Sequence, residues 1–339
     1  LTRYRMRVVA VVAISLFAAL VARLWYLQVI TTEQAVAVAE QNVTREIRVT
    51  APRGRILDVQ GRVLVGNRIT TMVTINRREF DQAGFDEEQR LHVLTRIAIE
   101  VNRSGNELLK TIDIEAALDD PAYGLYDDVP VAVDVGEDLL IFFGERSDQY
   151  PGIRVVDSTV RSYLYGNLAS HLLGWVGPLN DTEYRNRRPP EGKDYALRDE
   201  VGKAGIELLF EDDLRGVAGG RVVEVDRRGR IVRERDDLFL APIPGDDVVL
   251  TIDIDLQYLV ETELERAVFA ARSREPERDP DSDEDPPDFD APGGAVVVLA
   301  PGSGDVLAMG SYPSYDPNES IGGFRVDRWN ELNDPANDL

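Results

Sequence analysis

The chain has 339 residues, 43% of them hydrophobic, which is enough for two or more packed domains at roughly 100 to 200 residues each. Its formal charge of −23, from 61 acids against 38 bases, makes the surface repel nucleic-acid phosphates, so DNA and RNA are not expected partners. The absence of cysteine excludes disulfides, thiolate metal sites and a thiol nucleophile.

Arg3, Arg5 and Arg7 precede an apolar run from Val8 to Ile30, interrupted by Ser15, Arg23 and Gln28. As a helix those 23 residues reach roughly 34 Å, enough to cross a hydrocarbon core of about 30 Å. Arg23 can snorkel to the far interface, where Trp25 and Tyr26 suit the headgroup level. The positive-inside rule keeps the N-terminus cytoplasmic and exports everything after Ile30. A cleaved signal peptide is the competing reading, since Ala35–Ala39 offers small-residue sites. The apolar run exceeds a signal core of about 7–15 residues, so a retained single-pass anchor in the cell membrane is the expectation. Leu1 in place of Met points to an incomplete or irregular start.

Residues 31–47 carry no Gly or Pro and predict a polar helical stalk continuing the anchor. From Arg45 to Asn76, β-branched residues alternate around Gln60-Gly61, which predicts a hairpin. Leu91, Leu94, Ala98 and Val101 then share one helical face, and Ser104 is a candidate N-cap for a second helix running to Leu118. A short helix after Val135 ends at Pro151-Gly152 and gives way to a strand. The region 31–245 thus reads as one α+β module.

Past a Pro/Gly turn, a strand leads into a helix with Leu256, Leu259, Val260, Leu264 and Val268 on its apolar positions. The tract 274–290 is acids and prolines, too poor in apolar residues to bury anything, and predicts a flexible insert. As a calcium loop counted from Asp279 it fails, because Glu284 and Asp290 stand where Gly and Glu are needed. Two apolar strands follow within Ala295–Ser311, turning at Pro301–Asp305.

Four segments in order resemble the class B penicillin-binding proteins, the membrane-anchored transpeptidases that cross-link peptidoglycan. "APRGRILDVQGRVLVGN" is similar to the family's membrane-proximal hairpin at Arg53, Gly54, Ile56, Asp58 and Gly61. "RSYLYGNLASHLLGWVG" resembles a second motif at Arg161, Tyr163, Ala169, His171 and Gly174. "GKAGIELLFEDDLRGVAGG" resembles a third at Gly202, Gly205, Ile206, Glu207, Leu214, Arg215 and Gly216. The fourth runs from "LTIDIDLQ", with Asp253 and Gln257, to the Ala295–Ser311 hairpin.

The resemblance implies an anchor over 1–30, a non-catalytic pedestal of the dimerisation type over 31–245, and the opening of a β-lactamase-like transpeptidase domain over 246–339. It assigns these motif residues structural roles. The quoted "GKAGIE" and "RGVAGG" look closer to the elongation type, which implies a polytopic glycosyltransferase of that machinery as partner, with the division type as the alternative. Stem peptides and β-lactams are the implied ligands of the complete enzyme, with no cofactor.

Serine chemistry of this kind needs Ser-x-x-Lys, because one helical turn puts the base on the nucleophile's face. Lys110, Lys193 and Lys203 are the only lysines, and none stands three residues after a serine. Catalytic residues are therefore expected beyond the 339 residues, and these residues alone are expected to be inactive. A scaffold or sensor of the same fold without an active site is the second reading, and the presence or absence of Ser-x-x-Lys in the rest of the reading frame separates the two.

Other patterns have blander explanations. Ser104-Gly105-Asn106 reads as a helix start rather than a catalytic Ser-x-Asn. His171 reads as a hydrogen-bonding residue rather than a general base. Asp253 and Asp255 have no third metal ligand nearby, and "GKAGIE" lacks the Lys-Ser/Thr ending of a phosphate loop. No metal site is expected.

Overall fold

The computed structural model describes residues 13–23, 44–104, 109–124, 127–187, 195–197, 199–225, 231–273, 291–324 and 326–334. Its strands are β1 (Thr44–Val49), β2 (Ile56–Leu57), β3 (Val63–Asn76), β4 (Asp128–Val135), β5 (Ile153–Tyr163) and β6 (Val176–Pro178). They continue with β7 (Glu200–Gly202), β8 (Gly219–Val225), β9 (Ile231–Leu240), β10 (Val248–Val249), β11 (Gly294–Leu299) and β12 (Val306–Tyr312). Contacts divide the chain into two compact units, 1–49 with 219–241, and 50–218 with 242–339.

In the first unit the described strands form an antiparallel sheet in the order β1-β8-β9, with Thr44 opposite Glu224 and Val49 opposite Gly219. Thr44–Val49 is a strand, as the alternation from Arg45 predicts and in place of the stalk helix expected up to residue 47, because its side chains find a partner in β8. The rest of the expected stalk lies outside the described residues. Residues 13–23 are helical, with Ile14, Phe17 and Leu20 exposed. Among the described residues no helix is long and apolar enough to cross a membrane. The flanking parts of the expected anchor, 8–12 and 24–30, and the acidic tract 274–290 lie outside the described residues.

The second unit is built on β3, whose 14 residues pair with β2, then with β4 on one side and β5 on the other. The β2–β3 turn centres on Gln60 and Gly61, where Gly61 takes a φ of +80° that suits glycine. One core forms where Val73, Ile75 and Val129 of the sheet meet Leu94, Ile97, Ala98 and Val101 of helix Glu87–Ser104. Leu91, expected on that face, is exposed; Val93 and Ile97 take the buried positions instead. Ser104 ends this helix rather than opening the next, and its hydroxyl bonds the Asp138 carboxylate. The next helix, Thr111–Asp119, starts where the Asp113 carboxylate accepts the Lys110 N–H at 2.9 Å.

A second core gathers Ile56, Leu64, Val65, Tyr163, Leu168, Leu173, Leu214 and Ile254. Helix Ile254–Arg272 begins in this core and then packs against β11 and β12, burying Ile254, Gln257 and Val268. Leu259, expected inside, is exposed, because the buried face follows Ile254 and Gln257. β11 and β12 pair antiparallel from Gly294 opposite Tyr312 to Leu299 opposite Val306, as the two apolar runs around the turn predict.

Candidate functional site

The sequence-predicted motif residues fall into two polar joints and a set of ties around the second core. In the first joint, Arg53 lies in extended chain before β2, Arg161 sits inside β5, and Glu207 lies on the short helix Gly205–Leu209. Glu207 is fully buried: its Oε1 accepts from Arg161 Nε and its Oε2 from Arg53 Nε, both at 2.7 Å. Arg161 Nη1 also donates to Gly54 O at 2.7 Å and to Asn67 Oδ1 at 3.2 Å. Arg53 reaches on to Glu211 Oε2 at 2.6 Å, and the same oxygen accepts the Gly202 N–H at 2.9 Å.

Burial disfavours the Arg53 charge, but Glu207 and Glu211 more than offset this and hold its pKa above the ordinary value. Burial also pushes the Tyr163 phenol well above its ordinary value, so it stays a neutral hydroxyl. Such a set of paired charges has structural chemistry: both carboxylates, Glu207 and Glu211, face a guanidinium.

Gly54 is where this joint meets the following segment. Its N–H donates to Leu214 O at 2.8 Å, and a Cβ built there would lie 1.8 Å from Asp246 O. Two residues on, β2 pairs parallel with β10, Ile56 opposite Val248.

The second joint is the β2–β3 turn. Asp58 is fully buried, and its Oδ1 accepts from Gln60 N at 2.9 Å and Arg62 N at 2.8 Å while its Oδ2 takes Arg62 Nε at 2.7 Å. Arg62 then spans to Asp255 Oδ2 at 2.8 Å and Asp253 Oδ1 at 3.4 Å, and Gln60 Nε2 donates to Asp253 Oδ2 at 3.1 Å. Asp253 is also the N-cap of helix Ile254–Arg272, accepting from Asp255 N and Leu256 N. Both aspartates are thus engaged by Arg62, and among the described residues no acid–histidine cluster could hold a metal.

The remaining predicted residues act as ties. His171 Nε2 donates to Pro313 O at 2.8 Å, and its ring stands edge-on to Tyr315 at 5.3 Å. Arg215 donates to Asp199 Oδ2 at 2.6 Å and covers the Tyr195 ring at 3.7 Å, while Gly216 precedes the Val217–Ile243 bridge. Gly205, with a φ of +57°, opens the helix that carries Glu207. Gln257 is fully buried and pairs with both backbone groups of one β12 residue: its Nε2 donates to Met309 O at 2.7 Å and its Oε1 accepts from Met309 N at 2.8 Å.

Arg62, Glu211, Glu261 and Asn318 belong to these contacts and were not singled out from sequence. Each partners a residue at least 92 positions away, Arg53 for Glu211, Asp253 for Arg62, Ala169 for Glu261 and Tyr163 for Asn318, so no local pattern marks it.

Residues 48–250 match the family described as the Penicillin-binding Protein dimerisation domain. The chain belongs to the class B penicillin-binding proteins. Within that family it is of the elongation type. This penicillin-binding protein is 30% identical over 324 residues to Peptidoglycan D,D-transpeptidase MrdA of Escherichia coli (strain K12), covering 94% of this chain and 45% of that protein. It is 26% identical over 336 residues to the MrdA transpeptidase of Acinetobacter baumannii, covering 98% of this chain and 43% of that protein.

Among solved structures it resembles a complex between PBP2 and MreC from Helicobacter pylori, with a TM-score of 0.60 at 22% identity over 87% of this chain and 48% of that one. It also resembles a chain of a peptidoglycan synthase complex that coordinates polymerization and crosslinking, with a TM-score of 0.52 at 27% identity over 98% of this chain and 50% of that one. The chain therefore spans about half the length of the relatives it matches.

Proposed function

We propose that these residues are the anchored, substrate-free part of a peptidoglycan D,D-transpeptidase. The observation that carries this reading is the likeness to a D,D-transpeptidase across 94% of the chain. In it, residues 1–30 are a single-pass anchor with the N-terminus cytoplasmic, 31–245 are the pedestal, and 246–339 open the transpeptidase domain. The geometry supports a structural role for the motif residues, because Arg53, Arg161 and Glu207 form a buried set of ion pairs and Asp58, Arg62 and Asp253 fasten the β2–β3 turn to the first helix of the following domain.

The proposed reaction belongs to a serine–lysine pair outside these 339 residues. The serine Oγ forms an ester with the penultimate D-Ala carbonyl of a stem peptide, the peptide C–N bond breaks, and terminal D-Ala leaves carrying the proton. A neighbouring stem-peptide amine then attacks the ester, forming the cross-link and returning the proton to Oγ. β-Lactams acylate the same serine and remain on it. By likeness to the synthase complex, the partner is a glycan-polymerising membrane protein.

A fluorescent penicillin tests this. The gene product containing these residues is expected to be labelled at one serine, and the 339-residue chain is expected to stay dark. Labelling of the 339-residue chain would show that the nucleophile lies within it; an unlabelled gene product would defeat the transpeptidase reading.

A further inference from the structure

Beyond β12 the chain runs along the segment that ends β5 and follows it. His171 holds Pro313 O, Asn167 Nδ2 donates to Ser314 Oγ at 3.0 Å, and the Tyr315 hydroxyl donates to Ser170 O at 3.4 Å. Further on, Trp175 meets Phe324 at 4.8 Å and Trp329 at 5.7 Å between ring centres. Residues 313–324 and Trp329 thus contact residues of the 48–250 match, not only their own hairpin.

Asn318 makes the most specific of these contacts. Its Oδ1 accepts the Tyr163 N–H and its Nδ2 donates to Tyr163 O, both at 3.0 Å. A side-chain amide carries the same donor and acceptor as a peptide unit, so Asn318 stands beside β5 as a residue of a neighbouring strand would. Tyr163 faces Val65 of β3 on its other side.

The amide is also held in one orientation. Asp316 Oδ1 accepts from Asn318 Nδ2 at 2.8 Å and from Asn318 N at 2.9 Å, and a flipped amide would put its carbonyl against that carboxylate. Pro317 and Ser320 on either side are buried, which fixes the turn that presents it.

We propose that Asn318 is a positioning residue for the acylation chemistry described above, tying the stretch that leads away from β12 to the end of β5. The register of that stretch is then set by β5, not by the β11–β12 sheet alone, and the nucleophile that follows it inherits the alignment. This rests on the transpeptidase reading.

The test is acylation of the gene product by a fluorescent penicillin, with the rate at saturation separated from the half-saturation concentration, for wild type, Asn318→Ala and Asn318→Asp. The aspartate variant keeps the size and the acceptor but loses the donor to Tyr163 O, so it decides the matter should the alanine variant fail to fold. Expected is a saturating rate about tenfold lower or less in both variants, with the half-saturation concentration unchanged, since small misplacements cost this much. A purely structural role would lower melting temperature and the fraction of labelled molecules, and leave the rate of those that label untouched. Wild-type rates in both variants would overturn the proposal alone; a wild type that takes no label would overturn the reading beneath it and the proposal together.

Discussion

Glu207 Oε1 stands 2.7 Å from Arg161 Nε, with the two side chains 0% and 1% exposed. Two charges so far from water are stable only as a pair, and removing one leaves the other without compensation. Glu207→Gln is expected to cost about 3–5 kcal/mol, read as a lower urea midpoint at unchanged slope. Arg55→Ala, which breaks the exposed and solvent-screened Arg55–Asp247 pair, should leave the midpoint close to that of the wild type. Equal losses in the two variants would show that the Glu207 joint is not the buried clamp described.

The two motif glycines of the β2–β3 region serve different needs. A methyl at Gly54 would collide with the Asp246 carbonyl, and the backbone bond from Gly54 to Leu214 leaves little room to yield. A methyl at Gly61 meets nothing within 4 Å, so only its φ of +80° resists substitution. Gly61→Ala is expected to cost about 1–2 kcal/mol and Gly54→Ala about 3 kcal/mol, by thermal or urea unfolding. The reverse order would contradict the close approach at Gly54.

Gln257 satisfies both polar groups of Met309 from the middle of a packed face. Gln257→Ala leaves that N–H and C=O without this partner, at about 1–3 kcal/mol for each group that water does not reach. Faster hydrogen exchange at the Met309 amide should accompany the loss. Unchanged exchange there would place the hairpin's support elsewhere.

Asp58 and Glu261 should respond to pH in opposite senses. At Asp58, burial pushes the carboxyl up, but the Arg62 backbone, its guanidinium and the Gln60 N–H outweigh it and hold the group below the usual range. A depressed folded value gives stability that is complete above the unfolded value near 3.9 and is lost as pH falls through the folded one. At Glu261, burial raises the pKa, opposed only in part by Gln257 and the Ala169 N–H. Its contribution is complete below the unfolded value near 4.3 and is lost as pH rises through the folded one. Asp58→Asn should therefore be less stable than wild type at about pH 7, with the deficit shrinking in acid. Glu261→Gln should be more stable at about pH 7, with the gain vanishing towards about pH 4. Urea titrations across that range decide it, and pH-independent differences would refute both.

Local patterns foretold the elements whose partners are near in sequence. The turn at Gln60-Gly61 and the β11–β12 hairpin both follow from spacing and turn chemistry, because each closes within a few residues. Where a distant partner competes, the pattern misled. Of the two readings that overlapped at residues 45–47, stalk helix and strand, the strand prevailed because β8 lies alongside, and Leu91 and Leu259 were placed on buried faces that the packed neighbours do not cover.

The sequence by itself determined the family and the motif residues, since four short patterns in order survive without any knowledge of contacts. Only the tertiary structure decided what those residues do. Arg53, Arg161 and Glu207 are separated by up to 154 positions, and their pairing depends on how β2, β5 and a short helix come together. Nothing local encodes that meeting, because the energy of a buried ion pair exists only once the chain has expelled the water around it.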